Sequence, residues 1–157
     1  GKVFLALGTG EGSNNVGELT ALDCALFLLQ GLLKSPGVEA AAILTDCLLI
    51  TAHIHLNWAL AELPNRAHRV RSRERSLKKS HDLEIYWTRG HSGVTGNEVA
   101  DSQADKAVHL TLEDRPPTLS LTGVDPNVAD VVRSYFDIFL VEVGLTEPPP
   151  VFLDRPP

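Results

Sequence analysis

The chain has 157 residues, of which 43% are hydrophobic and 22% charged, close to the globular average; this argues against wholesale disorder, a collagenous repeat or a disulfide scaffold. No apolar run approaches the roughly 18 residues of a membrane span. The two cysteines, Cys24 and Cys47, form no CxxC pair and read as small buried hydrophobes of an intracellular, reducing compartment. The chain holds no methionine, so the expectation is that residues precede Gly1. A processed leader, an organellar (for example mitochondrial) targeting peptide and a further part of the domain all stay open.

The net charge of -6 is unevenly spread. Residues 66–79 hold Arg66, Arg69, Arg71, Arg73, Arg75, Lys78 and Lys79 against the single acid Glu74, a local balance of +6 that leaves -12 for the remainder. A basic segment on an acidic body points to one local contact with phosphate or an acidic partner; a solvated helix face is the plainer alternative.

In chain order, residues 2–7 form a short apolar run that reads as a strand, followed by a Gly- and Asn-rich turn over 8–15. Leu19, Leu22, Ala25, Leu26, Leu29 and Leu33 recur at helical spacing, and Pro36-Gly37 ends that helix. The almost continuous apolar run 40–51, interrupted by Asp46, predicts a strand buried on both faces. Residues 52–63 read as a helix that Pro64-Asn65 breaks, the basic stretch to 79 as another helix, and 83–88 as a strand. The loop 90–96 contains three glycines, and Asn97 is a suitable N-cap for a helix over 98–109. Residues 111–127, with Pro116-Pro117, read as a linker. An amphipathic helix is predicted over 128–143, with Val131, Val132, Tyr135, Phe136, Phe139 and Leu140 on its apolar side, and a Pro-rich tail over 147–157. Strands alternating with helices predict an α/β domain over 1–110, followed by linker, helix and tail over 111–157.

Four acids stand out. Asp46 lies inside an apolar strand, where a lone carboxylate is costly without a purpose or a partner. Glu18 opens a helix, where capping is the ordinary explanation. Asp101 and Asp105 share a helix face and repel unless a cation lies near.

Together with the loop, these residues resemble type 1 ribonuclease H. Tyr86-Trp87-Thr88-Arg89-Gly90-His91-Ser92-Gly93 through Gly96-Asn97-Glu98-Val99-Ala100-Asp101 is similar to that family's last core strand, histidine loop and final helix. Asn14-Asn15-Val16-Gly17-Glu18-Leu19 is similar to its NNxxEL helix start, and Thr45-Asp46-Cys47 to its TDS strand with Cys for Ser. The matches fall in the family's order over about residues 2–110. The resemblance implies a mixed sheet flanked by helices and a nuclease that cuts the RNA of RNA/DNA hybrids. Glu18, Asp46 and Asp101 would bind Mg²⁺ or Mn²⁺, His91 would aid proton transfer or product release, and Asn15 would touch the hybrid's minor groove. The basic residues Arg66, Arg69, Arg71, Arg73, Arg75, Lys78 and Lys79 stand where the family often carries a basic protrusion that holds the DNA strand. Two-metal phosphodiester hydrolysis needs such carboxylates converging from different elements, and amide side chains suit the 2′-hydroxyls that distinguish RNA.

One departure is large. The family's central first strand carries an aspartate that bridges the metals, and before Glu18 the only acid is Glu11, in a Gly-rich turn. Residues 2–7 match the family's third strand better, because they lead straight into the NNxxEL helix. Three explanations stand: the first strands have been cleaved away or come from another polypeptide that completes the sheet; residues 2–7 now fill the central slot of a truncated relic; or further sequence lies outside these residues. Two functions follow. One is a metal-dependent ribonuclease H. The other is a catalytically inactive structural or interaction module of a larger ribonucleoprotein assembly, binding structured RNA or protein neighbours. Trp58 and Trp87 read as core, His53 and His55 lack partners at zinc-ligand spacing, and the helix 128–143 reads as packed on its own domain.

Overall fold

The computed structural model describes residues 1–9, 12–56 and 64–145. Glu11, Trp58, the end of the helix expected over 52–63 and the tail 147–157 lie outside the described residues. The elements are β1 (Lys2–Ala6), α1 (Asn14–Leu32), β2 (Ala40–Thr45), α2 (Leu48–Leu56), α3 (Pro64–Ser80), β3 (Asp82–Trp87), α4 (Thr95–Leu112), β4 (Thr118–Thr122) and α5 (Pro126–Glu142). No described helix is long and apolar enough to cross a membrane.

The mixed α/β architecture expected from the sequence is present, with its strands in two pairs. β2 and β3 run parallel, Ala40 facing Asp82 and Thr45 facing Trp87. β1 pairs antiparallel with β4, Lys2 facing Thr122 and Ala6 facing Thr118. No ladder joins the two pairs among the described residues. Residues 2–7 therefore do not fill a central slot beside β2, which removes the relic explanation in that form.

Helix α1 stands between two cores because it is apolar on two sides. Leu19, Leu22 and Leu26 pack with Ile50 and Ile54 of α2, Ala67, Val70 and Leu77 of α3, and Leu83 and Ile85 of β3. Its other side sends Cys24 and Phe27 against Phe136, Phe139 and Leu140 of α5, with Leu5 and Leu119 of the antiparallel pair alongside. Each fully buried Leu, Ile or Phe contributes about 1.5–3 kcal/mol of transfer free energy, so both cores hold the fold. The apolar side of α5 is thus covered by its own domain, and the described part of 111–157 is built into the same body as 1–110.

Five local expectations are corrected. The run 40–51 is not one strand: it leaves extended structure at Thr45 and is helical from Leu48. β2 is not buried on both faces either, since Ala40, Ala42 and Leu44 are exposed, Leu44 by 53%, with no layer of described residues over them. Pro64 begins α3 instead of merely breaking a helix, which fits its fixed φ and missing N–H at a first helical position. The expected linker holds β4, whose alternation Thr118-Leu119-Ser120-Leu121-Thr122 presents Leu119 to the α1–α5 core. Helix α5 also begins earlier than expected, because Asp125 caps it by accepting from the Asn127 N–H at 2.9 Å and Pro126 occupies its first position.

Candidate functional site

The acids come from three elements. Glu18 lies in the first turns of α1, Asp46 directly follows β2, and Asp101 lies two turns into α4. Glu18 is half-buried, and its carboxyl is pushed above the ordinary carboxylate range, first by that burial and then by the negative charges of Asp46 and Asp101. Glu18 therefore lies within electrostatic reach of Asp46 and Asp101, which come from elements far from it in sequence.

Asp46 is held from several sides. The Asn97 side-chain Nδ2 donates to its Oδ2 at 3.3 Å, and the Trp87 indole N–H donates to its backbone carbonyl at 3.2 Å. Gly90 lies so close that a Cβ there would sit 3.2 Å from Oδ2, which explains the small residue at the start of the loop. Two sequence expectations change here. Asn97 is not the N-cap of α4, a place taken by Val94; it is buried inside the helix and serves Asp46. Trp87 is not core, being 45% exposed beside Asp46.

The loop histidine reaches the last helix. His91 adopts a left-handed φ of 54°, and its Nδ1 lies 3.8 Å from Asp101 Oδ2. That oxygen is shielded from solvent and has no hydrogen-bond partner in the structure. Glu98, one turn before Asp101, accepts from the Gly93 N–H at 3.4 Å. Among the described residues, the set whose ligand atoms all lie within 4.8 Å of one another is His91, Glu98 and Asp101. Glu18 and Asp46 stand outside that set. Sequence reasoning passed over Glu98, although its spacing of three from Asp101 on one helix face was the available signal. Asn15 sits near Asp46, its Oδ1 accepting a long contact from the Cys47 thiol at 3.9 Å.

Much of the basic helix is engaged internally. Arg73 and Arg69 bind Asp23 at 2.7 and 3.1 Å, Arg66 approaches it at 3.8 Å, and Arg73 also reaches Glu142 at 3.4 Å. Asp23 is fully buried, an anchor that was missed although it interrupts an otherwise apolar stretch of α1. Arg71 donates to His53 Nδ1 at 2.8 Å, which leaves His53 Nε2 to donate to the Ala67 carbonyl at 2.8 Å. His53 is therefore a structural link between α2 and α3. Lys78 lies 3.6 Å from buried Glu74 and 3.5 Å from Glu84. Arg75 and Lys79 are exposed on the outer side of α3.

An α/β domain that gathers acids from a helix start, a strand end and a late helix beside a glycine-rich histidine loop has the arrangement of the RNase H class. The family model of RNase H matches residues 3–109, and the chain belongs to that family. No curated protein and no solved structure matches the chain significantly. The residues present fit the divalent cations on which the family generally depends. Asp101 Oδ2 is a shielded oxygen without a hydrogen-bond partner, and the repulsion that raises Glu18 is of the kind a cation relieves.

Proposed function

We propose that this chain carries the greater part of the site of a metal-dependent ribonuclease H acting on the RNA strand of RNA/DNA hybrids. The observation behind this reading is that Glu18 of α1 lies within electrostatic reach of Asp46, just after β2, and of Asp101 in α4. These three carboxylates would hold Mg²⁺ or Mn²⁺, which supplies an activated water and stabilises the leaving oxygen. Asn97 and Trp87 fix Asp46 so that its carboxylate does not swing away from the site. His91, exposed on its loop, is placed to carry a proton to or from the product oxygen. Asn15 offers an amide to a 2′-hydroxyl. Lys79, exposed on α3, would meet the DNA phosphates together with Arg75 and Lys78, whereas Arg66, Arg69 and Arg73 serve the fold through Asp23.

The separation of the two strand pairs favours an addition to this reading: a strand carrying a further carboxylate, supplied by a second polypeptide or by residues outside these, pairs with the open edge of β2. β1, Lys-Val-Phe-Leu-Ala, carries no acid. The same observation favours the second reading, an inactive module in a larger assembly.

The test is cleavage of an end-labelled RNA/DNA hybrid by the folded chain with Mg²⁺ and with Mn²⁺, beside Asp46→Asn. Cleavage that this substitution abolishes supports the nuclease. A folded chain that cleaves only when a strand-pair peptide bearing an aspartate is added supports the completed sheet. A folded chain inert under both conditions moves the assignment to the inactive module.

A further inference from the structure

A side-chain contact joins the segment of Asp46 to that of Glu18 without involving either carboxylate. Cys47, next to Asp46, directs its Sγ at Asn15 Oδ1, 3.9 Å away, and Asn15 stands one helical turn before Glu18. The backbone of Cys47 is fixed on both sides. Its N–H donates to Thr45 Oγ1 at 3.1 Å, and its carbonyl accepts from the Thr51 N–H at 3.2 Å and from the Thr51 hydroxyl at 3.1 Å. The thiol therefore leaves a short turn pinned between β2 and α2, half-buried against the core that includes Leu19 and Ile50. Asn15 is half-buried in the first turn of α1. A thiol donates and an amide oxygen accepts, so the contact fixes which end of the Asn15 amide faces Cys47 and directs Nδ2 away from the turn.

We infer that Cys47 is a positioning residue for substrate recognition: its thiol holds Asn15 Oδ1 so that Nδ2 donates to a 2′-hydroxyl oxygen of the RNA strand. The inference rests on the reading of the chain as one that acts on RNA/DNA hybrids. A 2′-hydroxyl can donate or accept, and a freely turning amide would meet it with either end. An amide held at Oδ1 meets it only as a donor, and a deoxyribose offers no oxygen to that donor. Cys47 follows Asp46, and Asn15 precedes Glu18 by three residues on one helix. The same contact therefore sets the place of the group that recognises RNA relative to the carboxylates that would hold the metals. Serine in place of Cys47 would keep a donor, whereas alanine would release the amide.

The experiment has a spectroscopic and a binding arm, both on the full chain, with circular dichroism to verify that each variant is folded. Raman spectra of the S–H stretch report the contact directly. The chain has two cysteines, so Cys47→Ala identifies the Cys47 band. Hydrogen bonding lowers this stretch, and Asn15→Ala should move the Cys47 band to higher frequency while the Cys24 band stays in place. In the second arm, fluorescence anisotropy with Ca²⁺ measures binding to a labelled RNA/DNA hybrid and to a DNA duplex of the same sequence. Cys47→Ala and Asn15→Ala should each reduce the preference for the hybrid by about three- to tenfold, the loss of one hydrogen bond. The double variant should lose no more than Asn15→Ala alone, and Cys47→Ser should stay within about twofold of the unchanged chain. A Cys47 band that Asn15→Ala leaves unmoved overturns the inference whether or not the chain binds nucleic acid. A preference that Asn15→Ala reduces and Cys47→Ala does not, or two losses that add, overturns it and leaves the nuclease reading standing. A folded chain that binds hybrid and DNA duplex equally overturns that reading and the inference with it.

Discussion

Replacing Asp23 with alanine tests why the basic helix lies where it does. Asp23 is fully buried on α1 and receives Arg73 at 2.7 Å, Arg69 at 3.1 Å and Arg66 at 3.8 Å from α3. At an effective dielectric near 20, each of the two short pairs is worth about 5–6 kcal/mol in gross attraction, much of it offset by desolvation. Removing the carboxylate strands the guanidiniums, for which about 3–5 kcal/mol is the usual loss in a buried network. The arginines differ in their escape. Arg69 is 40% exposed and Arg66 22%, so both regain water, whereas Arg73 is 11% exposed and lies over the Phe27 ring at 5.0 Å. The lower end, about 3 kcal/mol, is therefore expected, equivalent to about 6–12 °C in melting temperature for a chain of this length. Circular dichroism melts and urea titrations at 0.05 and 0.5 M salt measure it, and the loss should persist at high salt because the pairs are shielded from ions. Pairing the change with Arg73→Met should recover part of the loss. A loss below about 1 kcal/mol, or one that vanishes with salt, would refute the account of Asp23 as the anchor of α3.

Four other outcomes are expected. Glu18 has its carboxyl raised above 4.5 in the folded chain, so its charged form opposes folding: the favourable contribution exists at low pH and is lost as pH rises through the folded value. Glu18→Gln should accordingly raise the melting temperature at pH 7 in the absence of divalent ions, with the gain shrinking as pH falls through 4.5; an equal gain at both pH values would contradict this. Gly31→Ala should destabilise by about 1–3 kcal/mol, because a Cβ there meets Tyr135 at 2.6 Å and Val131 at 2.8 Å of α5, while Gly17→Ala, with nothing within 4 Å, should stabilise by up to about 1 kcal/mol; urea midpoints compare them. Burial and the neighbouring Asp23 charge push the Cys24 thiol up to about 12, so a thiol reagent at pH 8 should label half-buried Cys47 well before Cys24, as read by peptide mass spectrometry. Lys79→Ala should reduce the salt dependence of hybrid binding by about one phosphate contact without moving the melting temperature by more than about 2 °C, whereas Arg73→Ala should lower the melting temperature and leave the salt dependence unchanged.

The site was legible to the extent that it rests on local strings. Asn15 and Glu18 at a helix start, Asp46 after a strand and the Gly90 to Asp101 loop and helix each carry their element in their own spacing, and the family match over residues 3–109 covers the same span. Asn97 and Trp87 were misplaced for a common reason. Both types have a default local role, capping for Asn and core for Trp, and only a neighbour distant in sequence, Asp46, draws them out of it. Glu98 was hidden because its significance depends on a loop histidine whose left-handed φ turns it toward α4.

By itself the sequence determined the alternation of strands and helices, the family and the positions of its motifs, because periodicity and short motifs are properties of neighbouring residues. Tertiary structure decided what depends on distant pairing. It bound three arginines of the basic segment to Asp23, made a strand of 118–122 by giving it β1 as a partner, and closed the apolar face of α5 onto α1. It also left β2 beside β3 and apart from β1. Which strand lies next to which is set by backbone hydrogen bonds and burial across the whole domain, and no local pattern encodes that choice.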